Sequence, residues 1–438
     1  MPAVFTHLFP REYFWPAKKH IFMSWQKEII MPTDPFLHRK SSAVLTFRRP
    51  NGEPIPNARV HARQTGHEFL FGFGAFDAVE VASGLLPPDR QAFLEERLHR
   101  MMDLFNFGTL PFYWGRFEVE EGKPETASVR AGAEWLKQRG VRLKGHPLCW
   151  HTVCAPWLLQ YSNQEIIEKQ MARIRREVGD FKGLIDTWDV INEVVIMPVY
   201  DRYDNAVTRI ARELGQVGIV KLVFEEARKV NPGASLILND FNTSAEYEHL
   251  IARCLDAGIP IDVIGIQSHQ HQGYWGREKL LDVLERFSRF GLPVHFTENT
   301  LISGDLMPKH IEDLNDWQPK SWPSTPEGEE RQKRDAEEMY SILFEAPSVE
   351  AVTVWDGVDG KWLGAPSGLM RRDHSVKPAY TRLKELIWKE WSTDTMLVTA
   401  ENGEAVLEGF RGEYELELDG KKVEMTLRKD AQGLNIVL

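Results

Sequence analysis

From about residue 68 onward, short runs of apolar, β-branched and aromatic residues alternate with longer segments whose apolar positions recur every three or four residues. Eight runs read as strands: residues 68–76 (EFLFGFGAF), 105–112 (FNFGTLPF), 141–148 (VRLKGHPL) and 184–193 (LIDTWDVINE), then 235–242 (SLILNDFN), 262–269 (DVIGIQSH), 292–299 (LPVHFTEN) and 349–357 (VEAVTVWDG). Between them, residues 87–105, 125–140, 163–181, 218–232, 245–258, 277–291 and 327–346 have helical spacing, and many of these segments end in Gly or Asn-Pro before the next strand. Eight βα units predict an α/β fold of the (β/α)8 TIM-barrel type. A doubly wound sheet would have fewer strands and a glycine-rich phosphate loop, whereas FGFG at residues 71–74 does not have the GxGxxG spacing.

The flanks differ. Residues 1–40 show no periodicity and read as an irregular extension. Residues 41–67 alternate like a hairpin around Pro-Asn-Gly, and residues 393–438 are short strands broken by NG and DG turns, which leaves 68–392 for the barrel. The two flanks are expected to pack as a small β appendage or to form separate caps. A Pro-, Trp- and Ser-containing insertion at residues 313–328 follows the seventh strand and borders the face where barrel loops gather.

Composition narrows the function classes. The 438 residues carry 53 basic and 64 acidic side chains, a net charge of -11, with no basic stripe of the sort nucleic acid requires. No apolar stretch is long enough to span a membrane, and Arg11, Lys18 and Lys19 interrupt the apolar groups near the N-terminus, so the expected location is the cytoplasm, with secretion as the alternative. Cys149, Cys154 and Cys254 lack disulfide or zinc spacing and read as small buried hydrophobes. The 14 Trp, 10 Tyr and 23 Phe, several beside polar residues at strand ends, suit a sugar site, where one sugar face stacks on a ring and the hydroxyls take hydrogen bonds.

Barrel chemistry sits at the C-terminal strand ends. Those ends carry Lys144, His146, Trp150 and His151; Asp189, Asn192 and Glu193; Asn239, Asp240 and Asn242; Gln267, His269 and His271; Thr297, Glu298 and Asn299; and Trp355, Asp356 and Asp359. Glu193 and Glu298 end strands on opposite parts of a closed barrel, so their carboxylates can face each other across its mouth. Such a pair suits glycosidic cleavage, one group protonating the leaving oxygen while the other attacks carbon or activates water. The same two glutamates could instead belong to an ordinary salt-bridge network. With no HExxH motif and no cysteine ligand pattern, neither a metal nor another cofactor is expected.

The ordered set KGHPLCWH, WDVINE, LNDFNT, GIQSH, FTEN and VTVWDG, with KPAY at residues 377–380, resembles glycoside hydrolase family 10, the retaining endo-β-1,4-xylanases. The resemblance covers about residues 68–385. It implies Glu193 as acid/base and Glu298 as nucleophile. It further implies that Asn192 bonds the 2-hydroxyl of the reacting sugar and that His269 orients Glu298 with support from Gln267. Lys144, His146, Trp150 and Trp355 would then line or order the sugar pocket. His271 would bind the next sugar or cap a loop, Trp362 would face sugar or pack on the surface, and His151 and Asp189 would tie neighbouring strands. The implied partner is a β-linked oligosaccharide or polysaccharide, cleaved by hydrolysis or by transfer to another sugar; a silent carbohydrate-binding protein is the rival. Two departures bear on substrate. Phe112, Tyr113 and Trp114 stand where the family has a polar clamp, and Asn299 and Thr300 follow the nucleophile where it has Leu and Asp.

Overall fold

The computed structural model describes residues 34–431 and 433–437. Most of the irregular extension expected at residues 1–40 therefore lies outside the described residues. Fifteen strands occur among those described: β1 Lys40–Arg48, β2 Arg59–Gln64, β3 Leu70–Gly74, β4 Phe107–Pro111, β5 Arg142–His146, β6 Thr187–Asn192, β7 Ser235–Asp240 and β8 Val263–Gln270, then β9 Val294–Leu301, β10 Val349–Val354, β11 Asp394–Val398, β12 Glu404–Phe410, β13 Gly412–Leu418, β14 Lys421–Leu427 and β15 Leu434–Val437. Strands β3 to β10 pair in chain order and close into a barrel, with β10 parallel to β3. Helices follow each barrel strand, at Pro88–Met102, Thr126–Lys137, Asn163–Asp180, Ala206–Val230, Ala245–Asp256, Gly276–Ser288, Pro326–Glu345 and Pro378–Glu385. This is the (β/α)8 architecture that the hydrophobic pattern predicts.

The strands are legible because both their faces are covered. Every residue of β9 is buried, as are five of the six in β6 and in β7, so these strands lack the polar–apolar alternation of a strand with one solvent face. Helix starts carry their own signals: Ser162 and Glu165 form a reciprocal capping box, which satisfies two otherwise unpaired backbone donors. One helix is longer than its periodicity suggests. The segment expected at 218–232 belongs to Ala206–Val230, whose first turns precede Gly215; there φ is +70°, which breaks the repeat and hides the N-terminal part from a pattern search.

The flanking strands do not form the hairpin expected at 41–67. β1 pairs instead with β12 and β15, and β2 with β11 and β13, giving a three-stranded and a four-stranded sheet. Pro50, Asn51 and Gly52 do turn the chain, with the Gly52 amide donating to Arg49 O, but Pro54 and Pro56 lack the donors that a continuing ladder needs. Leu45, Phe47, Val60, Leu407, Tyr414 and Leu416 are buried in the core that these two sheets share.

Candidate active site

Two local irregularities aim the glutamates. Between β6 and β7 the register shifts after Asp189, so β6 carries one extra residue; between β8 and β9 it shifts after Phe296, so β9 does. Such bulges redirect a side chain beside a site. Glu298 lies within β9 rather than at its end. Glu193 follows β6 with φ +56°, a strained left-handed backbone for glutamate, and is fixed there by its amide donating to Asn239 O at 2.9 Å. Asp240 then accepts from the amides of Val195 and Asn242, both at 2.9 Å, and so holds the turn that carries Glu193.

The two carboxylates are joined by a relay of amides. Glu298 Oε1 accepts from Asn239 Nδ2 at 3.1 Å, and the same nitrogen donates to Asn192 Oδ1 at 2.7 Å. Gln267 Nε2 donates to Asn192 Oδ1 at 3.0 Å and to Glu193 Oε1 at 3.3 Å. Thr297 Oγ1 donates to Asn239 Oδ1 at 2.5 Å and fixes which end of that amide faces Glu298. Around this relay, Trp150 Nε1 donates to Glu193 Oε2 at 2.9 Å, and His269 Nε2 lies 3.1 Å from Glu298 Oε2. Gln267 thus bonds toward Asn192 and Glu193 rather than toward His269.

A second, drier layer lies beneath. Lys144 and His146 both contact Asp189 Oδ2 at 2.7 Å, all three side chains being almost fully buried, and His146 Nδ1 reaches to 4.0 Å from Glu298 Oε1. Lys144, buried and paired with Asp189, therefore orders the pocket from beneath. Gly145, between them, leaves room for the Trp188 ring, which would lie 2.2 Å from a Cβ at that position.

These surroundings drive the carboxyls apart. Burial pushes Glu193 up to about 8, aided by Asp240 and Glu298 and opposed by the hydrogen bonds from Trp150 and Gln267. Burial also pushes Glu298 upward, but His146, His269 and Lys144 outweigh it and hold Glu298 below the usual carboxylate range. One carboxyl is kept protonated and the other ionised at neutral pH. That is the division of labour that acid and nucleophile require.

Aromatic side chains surround the partners of Glu298 and Glu193. Trp355 lies 5.2 Å from His146 and 6.1 Å from His269, and Tyr113 lies 5.5 Å from His146 and 5.7 Å from Trp150, ring centre to ring centre. Trp362 packs on His269 at 4.4 Å and His271 at 5.0 Å, so it belongs to the site wall. Of the three residues expected to replace the polar clamp, only Tyr113 faces this cluster. Phe112 is buried against Phe117, Phe181 and Trp188, and Trp114 is buried with its Nε1 donating to Glu118 Oε2. The strand ends at Pro111, so alternation no longer says which of the three points outward.

His271 and His151 are buried, and burial pushes both down to about 3, which keeps them neutral. His151 Nε2 lies 4.0 Å from Glu193 Oε2. Thr300 sits near Nδ1 of His269 at 3.5 Å and Nδ1 of His271 at 3.3 Å, so a neutral hydroxyl serves both rings where the family pattern has an acid. Sequence reasoning placed Asn239 and Asp240 at the strand ends without assigning them a role; the motif LNDFNT held the signal.

Fold and site define a (β/α)8 protein with two opposed carboxyls of contrasting protonation at its mouth. The family model of glycosyl hydrolase family 10 matches residues 112–386, well over half of the chain, and the protein belongs to that family. Similar curated proteins include an endo-1,4-beta-xylanase/feruloyl esterase of Xylanibacter ruminicola, 27% identical over 230 residues that cover 46% of this chain and 32% of the relative. A beta-1,4-xylanase of Dictyoglomus thermophilum is 28% identical over 193 residues, covering 42% and 53%. The match thus spans about a third and about half of the lengths of these two relatives. Among solved structures, xylanase 10B of Thermotoga petrophila, in complex with xylobiose, superposes with a TM-score of 0.59 at 20% identity, covering 74% of this chain and 95% of that one. A family 10 structure from Paenibacillus barcinonensis gives 0.58 at 21%, covering 73% and 95%. At these identities the structural likeness speaks for the fold.

Proposed function

We propose that the protein is a retaining glycoside hydrolase acting on β-linked glycans, with xylan-type chains or xylo-oligosaccharides as the preferred class. The observation that carries this reading is the opposed poise of Glu193, pushed up to about 8, and Glu298, held low. The names of its relatives favour β-1,4-xylose linkages. In the first step a Glu298 oxygen attacks the anomeric carbon while Glu193 gives its proton to the departing oxygen, leaving a glycosyl ester on Glu298. In the second, Glu193, now ionised, takes a proton from water, which displaces Glu298 and releases the β-anomer. Asn239 and His269 keep the attacking carboxylate oriented, and Asn192 stands within the relay where a sugar 2-hydroxyl would meet it.

Tyr113 favours a second reading of the substrate. An aromatic ring where the family pattern has a polar clamp binds the non-reducing side by stacking, which tolerates glucose- or mannose-type units and short chains. The test is a panel of aryl β-glycosides and xylo-, gluco- and manno-oligosaccharides, read by NMR for product and initial anomer, beside Glu298→Gln. Xylo-oligosaccharide cleavage with initial β-product, lost in the variant, supports the first reading. Cleavage of another series alone moves the substrate and keeps the mechanism, while sugar binding without turnover points to a silent binding protein.

A further inference from the structure

The insertion after β9 is a small folded lid. Ile302, Met307 and Trp322 form a buried apolar cluster with Ala365, and Ile311, Leu314 and Trp317 pack against it. Its base is locked by Lys377, which is buried and donates to Ser303 Oγ at 2.7 Å and Asp359 Oδ1 at 2.5 Å, while Ser324 donates to Asp359 Oδ2 at 2.7 Å. Gln272, beyond β8, donates to Pro308 O and Ile311 O, and the Met307 amide donates to His271 O. The lid therefore lies over the ends of β8 and β9. From the opposite side, the loop after β6 sends Arg202 to the lid's tip: its guanidinium grips Asp316 through two bonds, at 2.7 and 3.0 Å, and lies 3.0 Å from Asp313.

β6 and β9 are separated by β7 and β8 on one side of the closed barrel and by four strands on the other. Because the lid is anchored on β8, a link from it to the β6 loop runs over the end of β7. The reacting sugar's walls, Tyr113, His146 and Trp355, come from the other side, at the C-terminal ends of β4, β5 and β10. The leaving group, protonated by Glu193 just after β6, must then extend over β7 and β8, beneath the link. Phe241, directly after β7 and 46% exposed, is an available platform there.

Resting on the glycosidase reading above, we infer that the Arg202–Asp316 link is a strap that shortens the leaving-group side of the groove, so that chains are cut near their reducing ends rather than at interior bonds. Arg202 and Asp316 side chains are 48% and 51% exposed, so the strap is weak and screened by salt, and it biases closure by a factor of a few rather than sealing it.

The experiment digests xylo-, gluco- and manno-hexaoses labelled with ¹⁸O at the reducing end and maps the cleaved bond by mass spectrometry. Wild type is expected to cut predominantly near the labelled end. Arg202→Ala should raise the share of interior cleavage about three-fold, and replacing residues 313–317 by two glycines should raise it further. Exchanging the charges, Arg202→Asp with Asp316→Arg, should restore the wild-type pattern, and 1 M salt should move wild type toward Arg202→Ala. Turnover of an aryl β-glycoside, whose leaving group is one ring, should stay unchanged throughout and report intact folding. Interior cleavage by wild type, or identical patterns in wild type and both opened variants, overturns the strap while leaving the glycosidase intact. No cleavage of any hexaose or aryl glycoside by wild type overturns the functional reading, and the strap with it.

Discussion

Replacing Trp150 by Phe isolates one of the forces acting on Glu193. The indole Nε1 donates to Glu193 Oε2 at 2.9 Å, a bond that favours the ionised carboxyl and opposes the burial that pushes it up to about 8. Phenylalanine keeps most of the ring and removes the donor. A hydrogen bond to a charged group is worth about 1.5–3 kcal/mol, and 1.36 kcal/mol corresponds to one pH unit, which gives a shift of about 1–2 units. The Glu193 side chain is 15% exposed, so water replaces part of the lost bond and the lower end applies, about one unit. The proposed mechanism requires Glu193 to be protonated, so the alkaline limb of kcat/KM against pH should move upward from about 8 to about 9. The amplitude will fall if the indole also touches sugar, but the limb position is independent of amplitude. An unmoved limb, or one displaced toward acid, would refute the assignment of Glu193 as the group that must hold the proton.

Three further outcomes follow from the same geometry. His269→Phe removes a partner that holds Glu298 low, so the acid limb of kcat/KM should move upward, toward neutrality, in the same pH series. Glu193→Gln should abolish turnover yet stabilise the fold. The native carboxyl, raised from 4.5 to about 8, favours the folded state only while protonated, and that contribution fades as pH rises from 4.5 to about 8. The gain should be about 3 kcal/mol at pH 7 and vanish below pH ~4, measured by denaturant titration at both pH values. Tyr113→Ala should weaken oligosaccharide binding with little loss of stability, whereas Phe112→Ala, which empties a core position, should cost about 3–5 kcal/mol of unfolding free energy.

The barrel could be read from sequence because burial on both faces writes the starts of strands such as β7 and β8 as apolar runs and helices as periodic ones. Glu193 and Glu298 stand out for the same reason, as charges that end or interrupt such runs. What escaped detection was set by long-range pairing. The extra residues in β6 and β9 depend on the register of neighbouring strands, and the relay through Asn239 joins side chains 47 and 59 residues apart. The direction of Tyr113 against its buried neighbours Phe112 and Trp114 is decided after β4 has ended, where period-two alternation no longer applies. β1 and β2 alternate as a hairpin would, yet each finds its partners more than 300 residues away, and local pattern holds no information about that choice. Arg202 and Asp316, 114 residues apart in two loops, are equally invisible without the fold.

In the proposed mechanism Glu298 forms a covalent bond to sugar while Glu193 handles the proton. Its most direct test is inactivation with a 2-deoxy-2-fluoro β-xylobioside bearing a good leaving group, followed by intact mass and peptide mapping. The expected result is one added glycosyl unit, located on Glu298 and absent in Glu298→Gln. An adduct on another residue, or turnover with inverted product and no adduct under any condition, would contradict it.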